Sequence, residues 1–405
     1  MFFRRPSSFT MELPFHCYPL DGQFVCLDTD GNKVFVTDDI GRQFWRLLCS
    51  GSETDNDLAT LAFGFGVPEK LVKADYLKFS EQIATLPEVM SQAMADYCAD
   101  SGGTVSRALK SKSNIDVYLP GIRIRVYSES ALVLQQLEQW FLLRKPVGIL
   151  ESELLIFSLA VFYENNRYLI VPSTPFDLAA GKVPTEQILD RSDTELGASL
   201  LCLQQINLLA LHSRPWSFLI HAGCVAFGDE SFIFPAVGGS GKSTLTSYLI
   251  HNGFKLLADD TVALNDSGEY LTPVCIPICL KEGSWSVVEQ MSPALATQVF
   301  AGVPPSRVKY LPPQGSQIQH VPVACRNIIS PRYDPDIKCA SLTPAGRPGM
   351  LRKLLEGGSS TEQPVKPSNL EALVKFVDAS CCYELTFSKL EEVLPLLMDL
   401  AGQPA

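Results

Sequence analysis

The residues best suited to chemistry are Gly238-Gly239-Ser240-Gly241-Lys242-Ser243-Thr244, reached from the apolar run Ser231-Phe232-Ile233-Phe234 through Pro235-Ala236-Val237. A strand entering a glycine-rich loop and leaving as a helix is the context of a P-loop. The glycines let the backbone wrap so that several N–H groups face one anion, and the helix N-terminus adds the positive end of its dipole. Lys242 can neutralise the β- and γ-phosphates of ATP or GTP, and the Ser243 hydroxyl is the natural Mg²⁺ ligand. Ala236 stands where the usual pattern has its first glycine, a position that needs only a small residue. Gly238, Gly239, Ser240, Gly241, Lys242, Ser243 and Thr244 are therefore the expected nucleotide-binding residues.

Further along, Leu256-Leu257-Ala258-Asp259-Asp260 is an apolar strand that ends in two carboxylates. After a P-loop, one carboxylate can join the Mg²⁺ shell while the other takes the proton of an attacking hydroxyl. The bland reading is a turn at a strand end. His221 lies in Leu219-Ile220-His221-Ala222-Gly223, an apolar strand where a histidine is most often a core residue.

These groups need a scaffold. With 405 residues, 46% of them hydrophobic, the chain can form two or three domains with filled cores. A net charge of -11 makes it a poor partner for nucleic acid or anionic lipid, which require clustered Lys and Arg. The 12 cysteines are scattered, without paired Cys or His at zinc-finger spacing. They read as mostly buried free thiols of a reducing, cytoplasmic setting. No signal-peptide pattern follows Arg4 and Arg5, and the longest apolar run, residues 154–163, is too short to span a bilayer, so no membrane association is expected.

Residues 1–100 predict strands at 24–27 and 33–36 joined by Asp28-Thr29-Asp30-Gly31-Asn32, then helices near 40–48, 57–63 and 68–83. Thr37, Asp38 and Asp39 can cap the first helix, whose apolar face would carry Ile40, Phe44, Trp45, Leu47 and Leu48, and Pro68 suits the start of the third. This is a winged-helix-like module, but its 8 Lys and Arg against 15 Asp and Glu argue against DNA. Residues 99–113 read as a linker. Residues 114–190 predict a small α/β intermediate domain, with strands at 115–119, 122–127, 155–162 and 168–172 and a helix at 129–143. A helix over 194–212 opens the last unit, residues 191–405. There 357–368 reads as a loop, and 370–376 and 390–400 as helices packed on the core.

Taken together, His221-Ala222-Gly223, the P-loop and Ala258-Asp259-Asp260 resemble HPr kinase/phosphorylase and its wider HPr-kinase-like relatives over roughly residues 195–345. The resemblance implies an α/β (α+β multi-domain) chain with a P-loop kinase core of the type shared with phosphoenolpyruvate carboxykinase. It implies Asp259 as general base, Asp260 as a metal-shell residue, and His221 near the transferred phosphoryl group and Asp259. Where HPr kinase proper carries Glu-Ile-Arg-Gly, this chain has Pro277-Ile278-Cys279-Leu280-Lys281-Glu282-Gly283-Ser284. That departure speaks against phosphorylase activity and against HPr as the substrate. Lys281 is either a substitute phosphate contact or an ordinary exposed lysine, and Arg332 is a candidate phosphate clamp.

Residues 1–100 in turn resemble PqqD, a small peptide-binding chaperone of modified-peptide biosynthesis. The resemblance is carried by Val34-Phe35-Val36, Ile40 to Leu48, Gly51 and Gly66-Val67-Pro68-Glu69. It implies a leader peptide added as a strand at a sheet edge near 24–27 or 34–36, beside a helix. Jointly the two resemblances imply an ATP- and Mg²⁺-dependent kinase acting on a Ser or Thr hydroxyl of a peptide or small protein, and HPr kinases add self-association as an expectation. The alternatives are a small-molecule hydroxyl kinase and an ATP-switched peptide-binding scaffold.

Overall fold

Asp21 and Gly22, both at positive φ (47° and 73°), form a two-residue turn that folds the first strand back on the second. A computed structural model describes residues 16–27, 33–50, 55–85, 90–91, 113–141, 150–172, 189–235, 240–301, 307–361 and 364–402. All but the last residue of the linker expected at 99–113, the turn at 28–32, Gly51, and the loop residues Ala236, Val237, Gly238 and Gly239 lie outside them. The fold is mixed α/β.

Strands β1 (Cys17–Leu20), β2 (Gln23–Leu27) and β3 (Val34–Thr37) make an antiparallel sheet in the order β1-β2-β3. The 24–27 strand expected as a possible peptide-binding edge is therefore the central strand, with partners on both sides. Asp38 caps α1 (Asp39–Ser50) by accepting the Gly41 N–H at 2.7 Å, and α2 (Asp55–Phe65) and α3 (Glu69–Thr85) follow. Strand period two splits the sheet's side chains. Cys26 and Phe35 face Trp45 of α1, while Leu20, Val25, Leu27 and Val34 face the other way and join the core of the C-terminal unit. Ile40, expected on the apolar face of α1, is 38% exposed. Cys17 and Cys26, directly opposite in register, form a disulfide, while the other described cysteines are free, as expected of most of them.

After the short β4 (Met90–Ser91), a second sheet is ordered β5-β6-β7-β8-β9: β5 (Asn114–Leu119), β6 (Ile122–Ser128), β7 (Leu155–Glu164), β8 (Arg167–Pro172) and β9 (Asp190–Ser192). The hairpin turns are Pro120-Gly121 and Asn165-Asn166, with both asparagines at positive φ. Helix α4 (Ala131–Trp140), capped by Ser130, lies between β6 and β7, which pair in parallel. Helix α5 (Glu195–His212), capped by Thr194, packs on the same face as α4 and buries Cys202 and Ile206 against Ile124 and Ile170. The helix that opens the last unit in the sequence therefore shares its core with the middle sheet. That core also takes in Leu219 and Ala263, joining the middle sheet to the next one.

The largest sheet runs β17-β14-β13-β10-β11-β18-β21-β19, with β12 and β20 also paired to β10. Its strands are β10 (Phe218–Phe227), β11 (Glu230–Pro235), β12 (Lys255–Ala258), β13 (Thr261–Leu264), β14 (Tyr270–Thr272), β17 (Val323–Ala324), β18 (Asn327–Tyr333), β19 (Ser341–Pro344), β20 (Ser360–Thr361) and β21 (Cys381–Phe387). A separate hairpin joins β15 (Ile278–Lys281) to β16 (Val308–Leu311). Helices α6 (Lys242–His251), α7 (Trp285–Met291) and α10 (Val393–Ala401) bury one face of the large sheet. Helices α8 (Arg347–Glu356) and α9 (Pro367–Asp378) pack among the residues of the other core, together with the N-terminal sheet. The 357–368 stretch expected as a loop contains β20, which pairs with β10 and β4, and ends in the first turn of α9.

Candidate functional site

The site forms where β10 runs past two short strands at once. Its residues 218–221 pair with β13 and its residues 224–226 with β12, with an irregularity in register between. Asp259 and Asp260 fill the gap between β12 and β13, opposite Ala222 and Gly223. The Asp260 carbonyl accepts the Ala222 N–H at 3.1 Å, and Asp260 adopts a φ of 92°. A non-glycine residue there carries local strain, of a kind that clusters at functional sites.

On the other side of β10 lies β11, whose Phe232, Ile233 and Phe234 are fully buried. After the undescribed stretch, Gly241 at φ 89° is the N-cap of α6, without a side-chain cap. The first N–H groups of a helix have no partner within it, so an uncapped N-terminus offers them to an anion. Lys242, first residue of α6, is 9% exposed. Its ammonium is held below the usual lysine value mainly by burial, an effect that Asp260 and Asp259 oppose and Lys281 reinforces. Ser243 and Thr244 are half-buried on the first turn.

Asp259 is 2% exposed. Burial pushes its carboxyl up to about 7, and Asp260 adds to the rise, while the Ser243 hydroxyl, Lys242 and the Cys279 backbone N–H pull it back. Its Oδ1 has no hydrogen-bond partner, and neither has the buried Thr246 Oγ1. Both oxygens face Gly223: a Cβ there would stand 2.5 Å from Thr246 Oγ1 and 3.6 Å from Asp259 Oδ1. Asp260 is more open, with a side chain 55% exposed and its Oδ1 3.3 Å from His221 Nδ1. The His221 imidazole is held below its ordinary value, first by burial and against the pull of Asp260. His221 thus pairs with Asp260, whereas the resemblance set it beside Asp259.

Lys281, at the end of β15, acts on the charges of both His221 and Lys242 and so belongs to the same site. Arg332, near the end of β18, is 69% exposed and reaches Asp334 at 3.6 Å; no described contact brings it to the Asp pair. The structure thus gathers His221, Lys242, Ser243, Asp259, Asp260 and Lys281 from β10, α6, the β12–β13 connection and β15. Gly238 and Gly239 lie outside the described residues, and the Ser240 Oγ beside them is buried without a partner.

Sequence reasoning missed Gly223, Thr246, Cys279 and Tyr310. The Tyr310 hydroxyl interacts with Cys279, and its ring lies 4.8 Å from that of Trp140 in the middle unit. Only Gly223 carried a signal, as a glycine inside a strand two residues after His221. Among the described residues no group of three or more His, Cys, Asp or Glu could hold a metal, so any ion here would need oxygens from a bound nucleotide as well. No helix among them is long and apolar enough to cross a membrane.

No protein-family model matches the chain, and no curated protein is similar to it at a significant level.

Proposed function

We propose that this chain is an ATP-dependent kinase with a P-loop core of the HPr-kinase type, transferring the γ-phosphoryl group to a Ser or Thr hydroxyl of a peptide or small protein. The observation that carries the reading is the convergence of Lys242, Ser243, Asp259, Asp260 and His221 at one end of one sheet. These groups fit a Mg²⁺–nucleotide: Asp259 Oδ1 and Ser240 Oγ are buried polar atoms without partners, beside an uncapped helix N-terminus.

The division of labour between the two carboxylates follows from access. Asp259 is buried against the Ser243 hydroxyl, and with it would hold the ion. Asp260 faces outward with His221 and can meet an acceptor. This exchanges the two roles that the resemblance implies. When bound, Mg²⁺ supplies charge stabilisation to the phosphates. Lys242 and Lys281 neutralise the oxygens of the transferring group. The acceptor oxygen bonds to the γ-phosphorus, the bond to the β,γ-bridging oxygen breaks, and its electron pair leaves with ADP. Asp260 takes the hydroxyl proton while His221 orients that carboxylate.

The N-terminal module would bind the leader of the peptide substrate at the outer side of β3, which is an edge strand, and so raise the local concentration of the acceptor. The test is label transfer from γ-labelled ATP and Mg²⁺ to host-cell peptides by wild type, Asp260→Asn and Asp259→Asn. Asparagine tolerates positive φ, so Asp260→Asn keeps the backbone. Labelled peptide is expected from wild type alone; nucleotide affinity should survive Asp260→Asn and drop with Asp259→Asn. Label found only in free phosphate would overturn the kinase reading.

A further inference from the structure

We propose that Tyr333 is the platform on which the base of the bound nucleotide stacks; this rests on the P-loop reading above. The argument begins with the order of strands. β11 feeds the P-loop and stands between β10, on one side, and β18, which runs parallel to it, on the other. Asp259, Asp260 and His221 all lie on the β10 side. A nucleotide that directs its γ-phosphate to those residues must extend its nucleoside the opposite way, across the loop toward the carboxyl end of β18. In open α/β sheets ligands bind at the carboxyl ends of the strands, so the direction agrees with the general rule.

Tyr333 is the last residue of β18 and sits where that nucleoside would arrive. Its Cβ would lie 3.7 Å from a Cβ on Gly241, the N-cap of α6, so the tyrosine adjoins the phosphate cradle itself. The ring is anchored by an edge-type contact with Phe387, at 5.9 Å between centroids and 69° between planes. Phe387 is buried at 2% exposure, but Tyr333 remains 52% exposed. A large aromatic side chain fixed from behind and open in front suits the π-face of a base. Glycine at 241 is favoured by its φ of 89°, which would strain a side chain, while a Cβ there would make only ordinary contact with Phe387 Cζ and Tyr333 Cβ.

Two ligands separate this proposal from the reading beneath it. Inorganic tripolyphosphate with Mg²⁺ carries the phosphates of ATP but no base. In calorimetric titrations Tyr333→Ala should raise the Kd of ATP about ten-fold and leave that of tripolyphosphate unchanged, whereas Tyr333→Trp keeps both. An unchanged Kd for ATP in Tyr333→Ala overturns the proposal. So does an equal loss for both ligands, which would mean that the ring supports the loop and does not meet the base. If wild type binds neither ATP nor tripolyphosphate, the P-loop reading itself falls.

Discussion

The contact of Gly223 with Thr246 and Asp259 shows how little room separates β10 from α6. A methyl group at 223 would stand 2.5 Å from Thr246 Oγ1, so that side chain or α6 must give way, and overpacking of this kind costs about 1–3 kcal/mol. Gly223→Ala is therefore expected to lower stability and weaken nucleotide binding, and adding Thr246→Ala should restore part of both. Chemical unfolding and nucleotide titration of the single and double variants measure that coupling. Asp259 makes a second prediction. Its carboxyl lies near 3.8 in a solvated chain and about 7 in the fold. Between those values the folded state holds a proton that the unfolded state has lost, so this group makes stability fall as pH rises from about 4 to about 7, and no further above it. His221, depressed by burial, acts in the opposite sense near its own ordinary value. Comparison with Asp259→Asn isolates the carboxylate. The variant should gain stability over wild type at about pH 8 and lose that advantage at about pH 4; equal differences at both would refute the assignment.

Among the elements, the cross-strand pair Cys17 and Cys26 ties β1 to β2 on the face turned toward α1. Alkylation of the unfolded, unreduced protein should leave both cysteines unlabelled and modify Cys381 and Cys339, which are exposed free thiols in the fold. Labelling of Cys26 without prior reduction would remove the disulfide from the fold. The same hairpin marks what the sequence made legible. The 24–27 and 33–36 strands, the Asn165-Asn166 hairpin, the Ser231–Phe234 run and the capped helices carry local signals, namely alternation, turn residues and caps, and all are present to within a few residues at their ends. Most of the remaining strands escaped, β1, β20 and β21 among them. β1 had its turn in Asp21-Gly22, but four residues offer little alternation. β20 has two residues and exists only through its partners. β21 pairs with β18 from far along the chain, and such pairing leaves no local mark. Which residues would meet at the site was readable because strand–loop–helix and Asp-Asp are contiguous motifs. Its geometry was not: which aspartate faces His221 depends on the break between β12 and β13, and Tyr310 and Tyr333 approach through tertiary packing alone.

At the scale of the whole molecule, the N-terminal sheet is a working part of the C-terminal core. Val25, Leu27 and Val34 share a cluster with Leu370 and Leu373 of α9. Tyr18 donates to the Pro367 carbonyl at 3.2 Å, and Arg347 meets Asp21 at 3.1 Å. Removing residues 1–100 would bare that apolar face, so the truncated chain is expected to aggregate, while the full chain shows the N-terminal sheet and the large sheet melting in one calorimetric transition. Two separate transitions would contradict it. This shared core also has a consequence for how the protein is made. The first sheet leaves the ribosome long before α8 and α9 have been translated, an interval on the order of tens of seconds at ordinary elongation rates. Throughout it, the side of the sheet formed by Leu20, Val25, Leu27 and Val34 has no partner from its own chain. A sheet synthesised early is thus covered late, and a nascent-chain chaperone would find its natural grip there.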